Sequence, residues 1–102
     1  MPNNNKARGS NLERKIVKIA EAHGLKAQRA WLSDGRSMGY TEDVDGVIYD
    51  KNDEVWKFQA KKRKKIAEYI FPNKNVHIQV IEEDYGKPHV VIQLDDFLEL
   101  IK

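Results

Sequence analysis

Two segments that alternate polar and apolar residues, joined by a short polar turn, constrain the fold of this chain most strongly. The segments are residues 43–50 and 54–61, and the turn between them is Lys51-Asn52-Asp53. Alternation of this kind on both sides of a short turn predicts two antiparallel strands that form a hairpin.

The register of this hairpin decides which polar side chains meet. If the turn centres on its middle residue, Val47 lies opposite Lys57, and Asp45 lies opposite Gln59. Side chains of a strand alternate between its two faces, so Lys61 shares a face with Gln59. That face therefore carries carboxylate, amide and ammonium groups close together. It is either a solvated sheet face or a functional site.

The remaining segments predict an α/β fold. Ser10-Asn11-Leu12-Glu13 fits a capping box with Ser10 as N-cap, and Gly24 ends a helix over 11–23. The other predicted elements are a strand at 25–32, a loop at 33–42, a helix at 62–71, strands at 76–81 and 89–94, and a helix at 96–101 capped by Asp95. The order α-β-β-β-α-β-β-α predicts a mixed five-stranded sheet flanked by helices.

Length and composition limit the domain organisation. A chain of 102 residues has room for one small core, which we expect to span 10–102. Residues 1–9 are rich in Asn and carry Lys6 and Arg8, which predicts a flexible basic arm. The absence of Cys excludes disulfides, thiolate zinc sites and cysteine nucleophiles. Without a long apolar run or a secretory signal, we expect an intracellular protein with no membrane span.

Positive charge is concentrated in one run, Lys61-Lys62-Arg63-Lys64-Lys65, although the formal net charge is only +2. This run is either a solvated face or a surface that contacts phosphate. An aspartate and a lysine on one hairpin beside such a run are what metal-assisted phosphodiester cleavage requires. Carboxylates bind a hard divalent cation, and a lysine orients the attacking water or stabilises developing negative charge.

The order and spacing of Glu13, Asp45 and Gln59-Ala60-Lys61 resemble the motif of the PD-(D/E)xK nuclease superfamily. The resemblance is strongest to small archaeal-type Holliday junction resolvases and related phage endonucleases. Their pattern is a glutamate on the first helix, an aspartate that starts the second strand, and acid-x-Lys on the third. The loop at 33–37 and the segment 89–98 are similar to theirs as well. The resemblance extends from about Ser10 to the end of the chain and implies a restriction-endonuclease-like core.

This resemblance implies a site, a cofactor and a substrate. Glu13, Asp45, Gln59 and the Ala60 carbonyl would hold Mg²⁺ or Mn²⁺, and Lys61 would act on the water or the phosphate. The residues expected to contact the DNA backbone are Lys6, Arg8, Ser33, Arg36, Ser37, Lys62, Arg63, Lys64 and Lys65. The expected substrate is branched DNA such as a four-way junction, and its symmetric cleavage requires a homodimer.

Gln59 departs from the family pattern, in which an acid stands two positions before the lysine. The amide keeps the shape of glutamate but removes one negative charge, which weakens Mg²⁺ binding. A catalytically inactive DNA-binding module that retains the nuclease fold is therefore the alternative, and a basic protein-interaction domain is a third hypothesis. The remaining candidates have simpler interpretations: His23, His77 and His89 as structural or exposed residues, and Trp31 and Trp56 as core residues.

Overall fold

The computed structural model describes residues 4–102, with side chains described from residue 8 onward. Its helices and strands, in chain order, are α1 (Asn4–Ala22), β1 (Ala27–Arg29), β2 (Gly46–Tyr49), β3 (Val55–Phe58), β4 (Ile78–Ile81), β5 (His89–Ile92) and α2 (Leu94–Ile101). Short 3₁₀ turns lie at Trp31–Ser33, Gly35–Met38 and Glu68–Ile70. No helix in the described part of the chain is long and apolar enough to cross a membrane.

The predicted hairpin register is confirmed. β2 and β3 pair antiparallel, with Val47 opposite Lys57 and Gly46 opposite Phe58. Gly46 is required there, because a Cβ atom at this position would lie 2.4 Å from the Phe58 ring. The Asp50 carboxylate fixes the turn by accepting hydrogen bonds from the backbone N–H groups of residues 52 and 54.

The single five-stranded sheet predicted from the sequence is wrong. β1 pairs antiparallel with the other edge of β2, which makes β2 the centre of a three-stranded sheet. β4 and β5 pair with each other in a separate two-stranded sheet. The predicted mixed α/β class is correct. Residues 59–77 connect the two sheets in sequence and form no strand that could join them into one.

The helix predicted over 62–71 is also wrong, because only Glu68–Ile70 forms a single 3₁₀ turn. In a helix over this segment and the residue before it, Lys61 and Lys65 would stand four residues apart on one face, and like charges at that spacing destabilise a helix. A short helix also depends on burying an apolar face, and every side chain from 61 to 69 is exposed. The free energy that this segment would gain by forming a helix is therefore too small to offset the loss of backbone entropy.

The first helix begins earlier than predicted. α1 starts at Asn4, so Ser10 lies inside the helix and the capping box assigned to it is wrong. Residues 4–9, assigned to a basic arm, are helical, because good helix formers such as Ala7 and Arg8 extend the helix upstream. Residues 1–3 and the side chain of Lys6 lie outside the described residues. The last helix begins at Leu94 after Gln93, so Asp95 lies in its first turn instead of capping it.

The core lies between the three-stranded sheet and the two helices. Its buried residues come from α1, the segment after it, β2 and α2: Ala20, Leu25, Ile48, Leu98 and Ile101. Trp56 is 45% exposed and does not belong to the buried core that the sequence predicts for it, although its ring packs edge-on against Phe97 at 5.2 Å. Trp31 is 74% exposed, so its predicted place in the core is wrong. Alternation along β1 ends at Arg29, and the chain turns away from the sheet before Trp31.

An ionic clamp joins the end of α1 to α2. The His23 ring lies 2.7 Å through Nδ1 from a Glu99 oxygen and 2.8 Å through Nε2 from an Asp95 oxygen. Both ring nitrogens face carboxylates, so both donate only when the ring is an imidazolium. The hydrogen bond to Asp95 and then the one to Glu99 raise the pKa of His23. Lys102 lies 2.9 Å from the same Glu99 oxygen, so the clamp contains two cations and two carboxylates.

We expect this clamp to make stability fall as the pH rises. The folded pKa of His23 lies above its ordinary value of 6.5, so the stabilisation is complete below that value and is lost as the pH rises through the folded pKa. Urea unfolding of the natural protein and of His23→Gln, from about pH 5 to about pH 9, measures the contribution of the clamp to the free energy of unfolding. The difference in unfolding free energy between the two proteins should shrink toward high pH. Glu99→Gln should weaken this pH dependence, and a difference that is constant with pH would contradict the clamp.

Candidate active site

The ends of three strands meet at one edge of the larger sheet. β2 runs antiparallel to both of its neighbours, so its start lies beside the ends of β1 and β3. Asp45, immediately before β2, donates its N–H to the Phe58 carbonyl at 2.9 Å and accepts from the Ala30 N–H at 2.9 Å. Backbone pairing therefore places Asp45 between the residues that follow β1 and those that follow β3.

The Asp45 side chain binds the tripeptide that follows β3. Its Oδ2 accepts a hydrogen bond from the Ala60 backbone N–H at 2.7 Å. This bond holds the Gln59-Ala60-Lys61 segment against the carboxylate after the regular strand has ended. Gln59 and Lys61 are exposed, and both line the cavity described below. The sequence analysis places Asp45 opposite Gln59, and the side-chain contact is to the next residue, Ala60.

Glu13 reaches the same edge from the middle of α1. Glu13, Ile16 and Ala20 follow one another at helical spacing on a single face of the helix. Ala20 is fully buried and Ile16 packs against the core, and Glu13 continues this row beyond the apolar residues at only 3% exposure. The same amphipathic helix that packs the core therefore carries a buried carboxylate into the site.

The Glu13 carboxylate is held by two partners. Arg29 donates to Oε1 from Nε at 3.3 Å and from Nη2 at 3.2 Å. The Ser33 hydroxyl lies 2.8 Å from Oε1 and 2.9 Å from Oε2. A buried carboxylate is stable only when it is paired and hydrogen-bonded, so these contacts are the condition for its burial.

The turn that carries Ser33 has a strained backbone. Leu32 and Ser33 both lie in the left-handed region, at φ 52° and φ 56°. For residues other than glycine this conformation costs about 1–2 kcal/mol each. The Ser33 bond to Glu13 offsets part of the cost, and so does the hydrogen bond of 3.1 Å from the Trp31 N–H to the Ser37 hydroxyl.

One open cavity of about 780 Å³ collects these groups. Its lining includes all five residues predicted for metal binding and catalysis: Glu13, Asp45, Gln59, Ala60 and Lys61. Ser33 and Ser37, predicted as DNA contacts, line it as well. Further lining residues that the sequence analysis did not single out as site residues include Arg14, Gln28, Arg29, Trp31, Leu32 and Met38.

Other predicted DNA contacts lie outside the cavity lining. The Arg36 guanidinium donates through Nε to both oxygens of Asp34 at 3.0 Å. This contact lowers the pKa of Asp34 and offsets the charge that Arg36 offers to DNA. The cations of 62–65 are exposed and are not among the residues that line the cavity. Arg8 is half-buried on α1.

The hairpin face that carries Lys57 is more than a solvated surface. Val47, opposite Lys57 on that face, is fully buried. The Lys57 ammonium lies 5.2 Å from the centre of the Tyr40 ring. The segment between β1 and β2 therefore covers part of this face, and the polar groups at its far end border the cavity instead of open solvent.

Arg29 is the main residue that sequence reasoning missed. The available signal was a cation within the strand predicted at 25–32, which leads into the loop of suspected function at 33–42. Its pairing with Gly46 places it one residue from Asp45, which the antiparallel order of β1 and β2 could have indicated. Its bond to Glu13 depends on how α1 packs on the sheet, which no local pattern encodes.

The side chains at the cavity offer oxygen donors, which are the kind that a hard divalent cation prefers, but they are few. Glu13, Asp45 and Gln59 offer two carboxylates and an amide oxygen around one cavity. Within residues 4–102, no three His, Cys, Asp or Glu side chains form a group that could hold a metal ion. Gln59, whose amide oxygen is not among these side-chain types, stands where the motif of the resembled family has an acid. Mg²⁺ keeps several waters in most protein sites, so one or two carboxylates suffice.

The pairing of Arg29 with Glu13 can be tested by stability. We expect Arg29→Ala to lower the free energy of unfolding by roughly 2–3 kcal/mol, because it leaves a buried carboxylate without its cation. Urea denaturation at neutral pH measures the loss. Adding Glu13→Gln should restore part of it, since a neutral amide needs no counter-ion.

Arg14→Ala is the matched control for this experiment. Arg14 lines the same cavity, and among the residues whose side chains are described its guanidinium donates to the exposed Asn11 side chain alone, at 3.1 Å. Its removal should change stability by less than about 0.5 kcal/mol. If Arg29→Ala is as stable as this control, the ion pair is not a condition of Glu13 burial.

Comparison with known protein families gives a match over nearly the whole chain. The sequence model described as archaeal Holliday junction resolvase (Hjc) matches residues 4–99. Searches of curated proteins and of solved structures gave no match. The matched range contains all five strands and every residue that lines the cavity.

Proposed function

The chain belongs to the archaeal Holliday junction resolvase family, a family of PD-(D/E)xK nucleases, and we propose that it is a metal-dependent, structure-selective endonuclease that hydrolyses phosphodiester bonds in four-way DNA junctions. The observation that carries the proposal is the meeting of Glu13, Asp45 and Gln59-Ala60-Lys61 around one cavity. These segments are far apart in the sequence, and they are the ones on which the resemblance depends.

Each side chain has a role that follows from its position. Asp45, Glu13 and Gln59 would supply the oxygen ligands for Mg²⁺ or Mn²⁺, together with the Ala60 carbonyl. A cation held there would polarise the phosphate and activate water as the nucleophile. Lys61, exposed at the cavity, places its ammonium where it stabilises the negative charge that develops on the phosphate.

Arg29 and Ser33 act on Glu13 before any substrate binds. They hold its carboxylate in one orientation, which spares the site the cost of ordering it later. Arg29 remains 28% exposed, so part of its guanidinium can also contact a phosphate oxygen. This arrangement supports a preorganised carboxylate beside a phosphate-binding cation.

Two observations favour the rival function, a DNA-binding module that no longer cleaves. Gln59 removes one negative charge from the cavity, and Arg29 already neutralises Glu13. Both reduce the attraction of the site for a divalent cation. The two functions differ in whether the remaining ligands still bind enough metal to cut DNA.

Gln59→Glu separates the enzyme from the inactive module. The substitution changes an amide to a carboxylate of nearly equal volume, so packing should not change. We expect tighter metal binding and faster cleavage of a labelled four-way junction, and partial rescue of the natural Gln form by Mn²⁺ over Mg²⁺. Calorimetry with the metal alone and a gel-based cleavage assay measure the two effects.

Gln28→Glu is the matched control, because it adds the same charge to the same cavity from β1. If both variants gain equally, the effect is general electrostatics and Gln59 is not a ligand. Junction cleavage that is undetectable in Gln59→Glu with either metal would reject the enzyme and leave the inactive module.

The basic run supports DNA binding by phosphate contacts. It begins at Lys61 in the cavity and continues through residues 62–65, which are all exposed. Without helical structure, this segment can follow the path of a nucleic-acid backbone. Such contacts position the DNA and carry no base readout, which suits recognition of DNA by its shape.

Neutralising Lys62, Arg63, Lys64 and Lys65 to Gln should weaken DNA binding and flatten its salt dependence. Each lost phosphate contact lowers the slope of log K against log salt by about 0.9. A fluorescence anisotropy titration at several salt concentrations measures the slope. Neutralising Lys26 and Lys51, which line a different cavity near the β2–β3 turn, is the control and should leave the slope unchanged. An unchanged slope in the first variant would identify the run as a solvated surface.

The proposed enzyme acts as a homodimer, because a four-way junction is cut symmetrically by two sites. The smaller sheet offers a surface for a second copy. Ile78, Val80 and Val90 on β4 and β5 are 47%, 60% and 55% exposed. Contiguous exposed apolar groups of this kind mark interaction surfaces, and we propose that a second copy of the chain covers them.

A further inference from the structure

Two adjacent large apolar side chains are exposed at the rim of the cavity. Trp31 is 74% exposed and Leu32 is 75% exposed, and both line the cavity that holds Glu13 and Asp45. Trp56, by contrast, packs against Phe97 and bonds through Nε1 to a carboxylate oxygen. The pair at the rim contributes little to the core, so its exposure needs another explanation.

The backbone holds this pair in place at an energetic cost. Leu32 and the next residue, Ser33, both have positive φ, which residues with a Cβ rarely adopt. The turn is fixed by the Ser33 bond to Glu13, by the Trp31 N–H bond to Ser37, and by a bond from the Asp34 N–H to the Trp31 carbonyl. Strain that the surroundings maintain in this way is concentrated at functional sites.

The surroundings of the pair indicate the chemistry of its ligand. Arg14, Arg29 and Lys61 line the same cavity, so flat apolar surface lies beside cations. A nucleotide presents that combination, with a base that stacks and a phosphate that pairs with a cation. Stacking on an aromatic ring accepts any base, because every base has a π-face.

We propose that Trp31 stacks on a nucleobase that is exposed where duplex stacking is interrupted at a DNA branch point, with Leu32 wedged beside it. This inference rests on the proposed function and extends it to the selection of branched DNA. Inside an intact duplex both faces of each base are covered by neighbouring pairs. The open faces of terminal pairs occur in both DNAs, so the additional contact is the one at the branch. In other DNA-binding proteins, apolar side chains inserted between the base steps of a duplex must first unstack them, at a free-energy cost for each step. A branch point whose stacking is already interrupted does not carry that cost.

The first experiment compares affinities for a four-way junction and a linear duplex of equal length, without divalent cation so that no cleavage occurs. Trp31→Ala should weaken junction binding about tenfold and leave duplex binding unchanged, whereas Trp31→Phe should keep most of the affinity. Leu100→Ala is the matched control. Leu100 is 71% exposed on α2 and lines no part of the cavity, so its removal should alter neither affinity.

The second experiment uses the fact that the chain has only two tryptophans. In Trp56→Phe the sole reporter is Trp31, and the junction should quench its fluorescence more than the duplex does. In Trp31→Phe the sole reporter is Trp56, and the junction should leave its fluorescence unchanged. Quenching confined to the first variant places a base on the Trp31 ring.

The outcomes separate this inference from the proposed function. If the natural chain prefers the junction and Trp31→Ala keeps that preference in full, the inference is overturned while the proposed function stands. If the natural chain binds junction and duplex equally, the proposed function fails and the inference fails with it. If sedimentation equilibrium shows that Trp31→Ala converts a dimer to a monomer, the pair contacts a second copy and the inference is overturned.

Discussion

The burial of one carboxylate is the constraint on which the site depends. Glu13 lies on the same helical row as Ile16 and Ala20, so packing α1 against the core also removes the Glu13 carboxylate from water. That burial is tolerable because Arg29 and Ser33 bind the carboxylate from the end of β1 and from the strained turn after it. The ion pair therefore couples helix packing, strand position and turn conformation, and it explains why a strained turn stands where it does.

The antiparallel order of the larger sheet supplies the rest of the site. Because β2 is central, Asp45 at its start lies beside the residues that follow both neighbouring strands. The Asp45 bond to the Ala60 N–H then holds Gln59 and Lys61 at the cavity after regular pairing with β3 has ended. Two carboxylates, an amide, a lysine and an arginine converge at one cavity in this way.

The net charge of this protein hides a contrast between cations that are paired with nearby carboxylates and cations that form one exposed run. Arg36 is paired with Asp34, His23 with Asp95 and Glu99, and Arg29 with Glu13, whereas residues 62–65 form an uninterrupted exposed run of cations. The paired groups hold the fold and the candidate site together, and in the proposed function the run contacts phosphate. Gln59 leaves the cavity with one negative charge fewer than a glutamate would, so the proposed activity depends on whether a divalent cation competes successfully with Arg29 for Glu13.

The sequence by itself determined what local patterns encode. Alternation and a short turn were enough to predict the hairpin register. The order of Glu13, Asp45 and Gln59-Ala60-Lys61 was enough to identify the family. Both depend only on spacing along the chain. The tertiary structure decided the rest. The Arg29 partner of Glu13, the exposure of Trp31 and the division of the strands into two sheets arise from how distant segments pack, and the helix expected at 62–71 fails because nothing buries its apolar side. Packing free energy comes from contacts between segments, and residue preference alone carries no record of which segments meet.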